Sequence, residues 1–150
     1  MDILTKESYV SILERLDKLK ADTPALWGKM NAAEMLEHCK RATDVTLGKL
    51  ELKPKWYVKL FFGSMIKKAV TDDSIYKHSL QTAPEYVVHD KSLDFNTQLI
   101  ALKNSVDEFL NTPDHVLENT IHAIFGKMTA ENWKKSQWKH LDHHLRQFGL

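Results

Sequence analysis

Three of the eight histidines lie within five positions near the C-terminus, in the stretch KHLDHHLRQFGL of residues 139–150. His140 and His144 are four residues apart, a spacing that places two side chains on one face of a helix. Two imidazoles one turn apart can reach a common metal ion, as they do in helical zinc sites, although the full H-E-x-x-H motif is absent. The spacing therefore indicates metal chemistry if this segment is a helix and this face is buried.

The residues before and around these histidines predict a long helix. Thr129 is a typical N-cap residue, and Gly149 stands just after Phe148, where helices often end in a C′ glycine. At about 100° per residue, one face carries Trp133, Gln137, His140, Leu141, His144 and Phe148. The broadly opposite face carries Lys135, Lys139, Asp142 and Arg146. We therefore predict that His140 and His144 enter the core between aromatic residues.

A third imidazole is expected from the second helix, which we predict from Asn31 to about Leu47. Asn31 and Glu34 have the spacing of a capping box, and Gly48 is a stop signal. Its interior face follows three-four-three spacing and carries Met35, His38, Ala42 and Val45. Three neutral imidazoles from two helices leave one coordination position open, as in catalytic zinc sites. Imidazole suits zinc, nickel, copper or iron, and the sequence does not choose among them.

The other histidines show no comparable pattern. His143 lies beside the predicted core face of its helix. We therefore expect it at the surface or in contact with a metal ligand, not as a ligand itself. His122 precedes the last helix and can lie near one end of the fold. The remaining three sit in predicted loops or helix starts: His78, His89 and His115. A single histidine on an apolar face is more often a hydrogen-bonded core residue than a ligand, so a purely structural role remains the alternative for the cluster.

Neither the lone cysteine nor the nearby acids are expected to do chemistry. Cys39 follows His38 directly, and consecutive helical residues diverge, so both are not expected to reach one metal ion. A free cysteine of this kind is usually a small buried apolar residue. Glu34 and Glu37 fit a helix cap and a solvated face better than a general base. No other carboxylate stands out as a base.

Glycine (5) and proline (4) are scarce, so the elements should be few and long. We predict a first helix from Thr5, a third long helix over about 93–110, and a short helix opened by Thr112 and Pro113. The apolar residues of the first helix follow three-residue steps: Val10, Leu13, Leu16 and Leu19. Residues 71–91 form the longest predicted loop. No segment alternates apolar and polar residues, so no strand is expected. The predicted fold is all-α, a single domain over 1–150 built as an antiparallel four-helix bundle with short extra helices between the second and third long helices and before the last.

In the stretch KPKWYVKLFFGSMIKK, residues 53–68, lysines alternate irregularly with aromatic residues. This stretch predicts a shorter helix, with a kink allowed at Gly63. A membrane-surface helix and a lid over a substrate pocket are two functional interpretations. A helix that packs on the bundle is favoured over both, because one of its faces is apolar: Val58, Phe62, Met65, Ile66 and Ala69.

Composition excludes several classes of protein. The 21 basic and 20 acidic residues give no strong field, so no nucleic-acid partner is expected. No apolar run is long enough to cross a bilayer, so no membrane partner is expected. The single cysteine precludes an internal disulfide and, with no signal peptide at the N-terminus, fits a cytoplasmic protein.

The histidine pattern resembles that of the DinB-like superfamily of metal-binding four-helix bundles. The resemblance is carried by LWGKMNAAEMLEHC and by FGKMTAENWKKSQWKHLDHHLRQFG. These segments are more similar to an uncharacterised branch of the superfamily, a domain of unknown function. The resemblance spans about residues 5–149 and is weak over residues 49–91. It implies that His38, His140 and His144 are the three metal ligands. Arg146 and Gln147 are shifted relative to the superfamily's H-R-G-Q tail, so the resemblance implies no role for them.

The resemblance also implies a function. Characterised relatives carry out thiol transfer to electrophiles, maleylpyruvate-type isomerisation with a low-molecular-weight thiol, or hydrolysis. We therefore expect a metal-dependent enzyme, with zinc or nickel and a small thiol as cofactors, acting on a small-molecule substrate. Dimerisation through a helix face is common among such relatives and is compatible with this sequence. The alternative is a helical scaffold or binding protein whose histidines are structural or vestigial.

Overall fold

A computed structural model of the chain describes residues 6–76 and 82–150, and these ranges are mostly helical. The helices are α1 (Lys6–Lys18), α2 (Ala32–Thr46), α3 (Trp56–Thr71), α4 (Phe95–Asn111), α5 (Asp114–Asn119) and α6 (Ala130–Gln147), with one 3-10 turn at Pro84–Tyr86. Strands β1 (Ile121–His122) and β2 (Gly126–Lys127) pair antiparallel. The helical class is confirmed, whereas the expectation of no strand is wrong for this small hairpin. The helices in the described ranges are too short or too polar to traverse a bilayer.

The two helices that carry the histidines begin where their caps predict. The backbone N–H of Glu34 donates to Asn31 Oδ1 at 2.9 Å, and the backbone N–H of Asn31 donates to Glu34 Oε2 at 2.8 Å, which completes the predicted capping box. Thr129 Oγ1 accepts from Asn132 at the start of α6. Each cap satisfies backbone donors that the first turn leaves unpaired. The predicted cap of the first helix, Thr5, lies outside the described residues.

The predicted start of the short fifth helix is wrong by one residue. Thr112 ends α4, where its hydroxyl donates to the carbonyl of Glu108 at 2.8 Å, and Pro113 takes the N-cap position of α5. A residue before proline is sterically disfavoured in the helical region, and Thr112 is accordingly extended. The proline therefore separates the two helices instead of occupying the first turn of the second.

Four helices contact each other around the core: α1 and α2 each contact both α4 and α6. The buried face of α1 is formed by Tyr9, Ile12, Leu16 and Leu19. Val10, which the three-residue steps place on this face, is half exposed. The helical repeat is 3.6 residues, so a run of three-residue steps drifts off the face over the length of α1. Helices α3 and α5 pack on the outside of α6.

Helix α3 is continuous through Gly63, so the kink is not found. A Cβ at Gly63 would lie 2.8 Å from the carbonyl oxygen of Ile124, which shows that the glycine lets the β1–β2 turn approach the helix. Helix α3 packs on the bundle as predicted, but its apolar face is only partly covered, with Val58 and Ile66 half-buried. Three residues of that face are exposed: Phe62, Met65 and Ala69. Gly63 is the buried residue of α3.

His122 lies in the β1–β2 hairpin, where it holds the turn together. Its Nδ1 accepts the backbone N–H groups of Ile124 at 3.1 Å and Phe125 at 3.2 Å, and its ring stacks on that of Phe125. Burial lowers its pKa to about 4. The imidazole is therefore neutral in the folded protein at neutral pH, with its proton on Nε2.

Replacing this histidine should reduce the acid sensitivity of the fold. In the unfolded chain His122 takes up a proton near pH 6.5, whereas in the folded chain it does so only near pH 4. Its contribution to stability is present above pH 6.5 and is lost as the pH falls toward 4, by about 2–3 kcal/mol. Urea unfolding of wild type and His122→Asn at pH 7.5 and 4.5 measures this, because the asparagine oxygen keeps an acceptor without titrating. An identical loss of stability in both proteins would contradict the assignment.

Candidate metal centre

The structure brings together the three histidines that the sequence singles out. His38 comes from α2, and His140 and His144 come from successive turns of α6, which packs against α2. One nitrogen from each ring lies within 4.8 Å of the other two. Nε2 of His38 and Nε2 of His140 are 3.1 Å apart. These three side chains could hold one metal ion, while their role as ligands stays a prediction.

The ring of His38 is oriented by the backbone of the 3-10 turn. Its Nδ1 lies 3.0 Å from the carbonyl oxygen of Tyr86, an acceptor that requires the proton on Nδ1. Arg41 fixes this turn to α2 by donating to the carbonyls of Glu85 and Val87. His38 therefore presents the lone pair of Nε2 to the cluster, which is the tautomer that a metal ligand needs.

The ring of His144 is oriented by Gln147, one turn further along α6. Nδ1 of His144 lies 2.8 Å from Gln147 Oε1, and Gln147 Nε2 donates to the carbonyl of Trp27 at 2.7 Å. A carbonyl can only accept a hydrogen bond, so the Trp27 carbonyl requires the Nε2 group of the Gln147 amide on its side and leaves Oε1 facing His144. The amide oxygen then holds a proton on Nδ1 of His144, and its Nε2 is left as an acceptor toward the cluster.

Electrostatics keep the cluster uncharged. Burial lowers the pKa of all three imidazoles: that of His38 below its usual value, that of His144 to about 3, and that of His140 well below its usual value. The neighbouring imidazoles lower the pKa of His140 and His144 further. Neutral imidazole is the form that binds metal. Around physiological pH no proton has to leave an imidazolium before a cation enters.

The remaining histidines lie outside the cluster. His143 is beside it, with its ring 5.0 Å from that of His144 and in contact with the rings of Trp27 and Tyr76. His122 contacts Trp133 from the hairpin. His89 and His115 are exposed, and His78 lies outside the described residues.

Cys39 and the two glutamates behave as the sequence predicts. Cys39 is fully buried, its Sγ lies 3.7 Å from Met35 Sδ, and burial raises the pKa of its thiol. A buried thiol of high pKa is inert as a nucleophile. Glu34 caps α2 and pairs with Lys91, and Glu37 pairs with Arg41. None of the three is part of the histidine cluster.

Lys139, which the helical repeat places broadly opposite the histidines, is buried. Its side chain is 6% exposed, and its Nζ donates to the carbonyls of Ala69 and Asp72 and to Asp72 Oδ1, at 2.8–2.9 Å. Helix α3 packs over this side of α6, so the aliphatic stem of the lysine is covered while its ammonium caps the C-terminal end of α3.

A cleft of about 350 Å³ lies at His143, whose ring contacts that of His144, and the three clustered histidines are not among its lining residues. Its lining residues are Trp27, Ile75, Tyr76, His143 and Arg146. Two aromatic rings and a guanidinium are suited to a small molecule with an apolar part and an acidic group. Arg146 is half exposed and lies 3.7 Å from a carboxylate oxygen of Asp142.

Two features of the site are missed by sequence reasoning. The carbonyl of Tyr86 has no signal in the sequence, because any residue type carries one. Gln147 has a signal, since it stands three residues after His144 and so falls on the same side of a helix.

Fold and site together define a mostly helical protein in which histidines from two helices form one candidate metal centre. Residues 3–149 match the profile of a family described as "Protein of unknown function (DUF1569)", and the chain belongs to that family. This confirms the predicted membership of an uncharacterised domain family, while the relation to the DinB-like superfamily stays a prediction. No curated protein and no solved structure matches the chain significantly.

Proposed function

We propose that the chain is a metal-dependent enzyme whose single ion is bound by His38, His140 and His144. The observation that carries the proposal is the convergence of three neutral imidazoles, two of them held with Nε2 free. We further propose that residues 1–150 form one four-helix-bundle domain of the DinB-like type, with α1, α2, α4 and α6 as its helices. The ligands then come from two facing helices, as is usual for metal sites in bundles.

The donor set fits a small divalent transition metal such as zinc or nickel. Tetrahedral zinc with nitrogen ligands at about 2.0–2.1 Å requires ligand nitrogens roughly 3.3 Å apart. The 3.1 Å between Nε2 of His38 and Nε2 of His140 is close to that spacing. The three ligand nitrogens lie within 4.8 Å of one another, so the rings would draw closer together around a bound ion. The outer hydrogen bonds to Tyr86 and Gln147 support two of the three rings, as in established histidine sites.

The reaction class that we propose is thiol-dependent transfer or hydrolysis on a small molecule. When bound, such an ion supplies a Lewis acid with an open position, which lowers the pKa of a water or of a low-molecular-weight thiol and polarises a carbonyl. Because the three ligands are neutral, they leave the positive charge of the ion available to an anionic partner. The adjacent cleft provides the volume for a small substrate, and Arg146 provides a positive charge at its wall.

A non-enzymatic scaffold is the second candidate, and one contact favours it. His140 Nε2 can donate a hydrogen bond to His38 Nε2 across their 3.1 Å separation. That bond would satisfy both nitrogens without any metal. Metal content therefore separates the two candidates.

Elemental analysis of protein expressed without a histidine tag tests the proposal. We expect about one equivalent of zinc, nickel or a related metal in wild type and almost none in His38→Ala or His140→Ala. His143→Ala is the matched control, because this neighbour of His144 lies outside the cluster and its loss should leave the metal bound. A folded wild-type protein that stays metal-free after reconstitution would overturn the proposal in favour of the scaffold. If metal is bound, the loaded protein is then assayed with a thiol plus an electrophile and with an ester, beside His140→Ala.

A further inference from the structure

Helix α3 carries more exposed large apolar side chains than any other helix of the described residues. Trp56 is 73% exposed and Phe61 is 67% exposed. The exposed large apolar side chains of α3, here called the α3 ridge, are Trp56, Tyr57, Leu60, Phe61, Phe62 and Met65. Contiguous apolar surface of this kind marks a contact site far more often than scattered exposed residues do.

The packing of α3 determines which side of the helix faces outward. Gly63 lies against the carbonyl of Ile124, and Lys67 Nζ donates to the carbonyl of Lys127, so this side of α3 rests on the β1–β2 hairpin. Lys139 holds the C-terminal end of the helix against α6. These contacts are made from Gly63 toward the C-terminal end of α3, whereas the side chains of the α3 ridge, from Trp56 to Met65, stay exposed.

The charged residues within α3 and just before it are all basic. Residues 53–70 contain five lysines and no acidic residue: Lys53, Lys55, Lys59, Lys67 and Lys68. The first acidic residues after the helix, Asp72 and Asp73, are paired with Lys139 and Lys135 of α6. The acidic side chains on the C-terminal side of α3 are therefore engaged by α6, and Lys67 is turned toward the hairpin. On the N-terminal side the carboxylate of Glu85 accepts the backbone N–H of Lys53. The positive charge beside the α3 ridge is that of Lys55, Lys59 and Lys68.

We propose that α3 docks on an anionic lipid surface and lies in the plane of the interface. The α3 ridge enters the boundary between headgroups and acyl chains, while the lysine stems extend along it and place their ammonium groups at lipid phosphates. Trp56 and Tyr57, at the start of the helix, are residue types that favour this boundary. The expectation of no membrane partner rests on the lack of an apolar run that could cross a bilayer, and a helix that lies in the interface needs no such run.

Charge also decides against a second copy of the chain as the occupant. A two-fold contact through α3 would bring two sets of five lysines together with no acidic residue on either helix to pair with them. A fluid lipid surface needs no groove to receive the α3 ridge, and its negative charge complements the lysines. The inference does not depend on the histidine site, so it can hold even if no metal binds.

Vesicle co-sedimentation of the full chain tests the proposal. We expect binding to phosphatidylcholine vesicles that contain phosphatidylglycerol, much weaker binding to pure phosphatidylcholine vesicles, and loss of binding as salt is raised from about 0.05 to about 0.5 M. Phe61→Ser should weaken binding about tenfold by removing buried apolar area. Lys55→Ala should weaken it about fivefold on anionic vesicles only. Tryptophan emission should shift to the blue on binding, and this shift should shrink in Trp56→Phe.

Ile100→Ser is the matched control, because Ile100 is 60% exposed on α4, outside the α3 ridge. This variant should bind anionic vesicles as wild type does. Absence of binding at low salt, or equal weakening by Ile100→Ser and Phe61→Ser, would overturn the proposal. So would a dimer in analytical ultracentrifugation that Phe61→Ser dissociates, because the ridge would then be covered by a second copy.

Discussion

Metal-free protein should gain about 4 kcal/mol of unfolding free energy when free zinc is raised to roughly 1,000 times its dissociation constant. For a chain of this size the melting temperature should rise by about 10 °C. The cause is that zinc binds the folded arrangement of His38, His140 and His144, which come from helices that the unfolded chain does not hold together. The gain is a property of the whole cluster, so it should disappear when one imidazole is removed.

The measurement is thermal unfolding by circular dichroism across a zinc titration, for wild type, His140→Ala and His143→Ala. His140→Ala also leaves a small cavity, so the quantity to compare is the zinc-dependent increment within each protein. We expect a full increment for wild type and His143→Ala and almost none for His140→Ala. A zinc increment that survives in His140→Ala would show that zinc binds elsewhere on the chain.

Gly28→Ala should destabilise the protein by about 2–3 kcal/mol and weaken zinc binding about 10- to 100-fold. Gly28 has a φ of +83°, where an L side chain is strained, and its added Cβ would meet Nε2 of Gln147. Gln147 cannot move away without losing its bond to the Trp27 carbonyl and releasing His144. A loop glycine remote in sequence from α6 thereby controls the orientation of one predicted ligand.

Gly48→Ala separates backbone strain from the effect on the site. Gly48 has a φ of +70°, yet a Cβ there would meet nothing within 4 Å. We expect Gly48→Ala to lose about 1–2 kcal/mol of stability through strain alone and to bind zinc like wild type. Urea unfolding and competition with a zinc indicator measure the two quantities. Equal zinc affinities for Gly28→Ala and Gly48→Ala would mean that Gln147 does not position His144.

The parts of this protein that sequence reasoning predicts well are those governed by local chemistry. The capping box of Asn31 and Glu34 and the Thr129 cap act within one turn of chain, so the starts of α2 and α6 follow from residue type alone. The inward positions of His38 and His144 follow from helical periodicity. Both rules depend only on neighbours along the chain.

The parts that were missed depend on which elements meet. The α6 face that contains Lys139 is polar and looks solvent-exposed until α3 is placed over it. One face of α3 is apolar and is typical of a packed helix, but the residue of α3 that the fold buries is Gly63. The hydrogen-bond acceptor for His38 is a main-chain carbonyl, which every residue type carries and which the sequence therefore does not indicate. In each case the deciding contact joins residues far apart in sequence.

The three hydrogen bonds of Lys139 tie the end of α3 to the turn of α6 that carries His140. Its ammonium is attached to the last turn of α3, and the next residue along the chain is His140. If α3 shifts along its axis, it must either break these bonds or move this turn of α6 with it. A displacement of α3 therefore changes the position of Lys139 and, through the backbone, that of His140. Lys139 thus couples the outer helix to the histidine cluster.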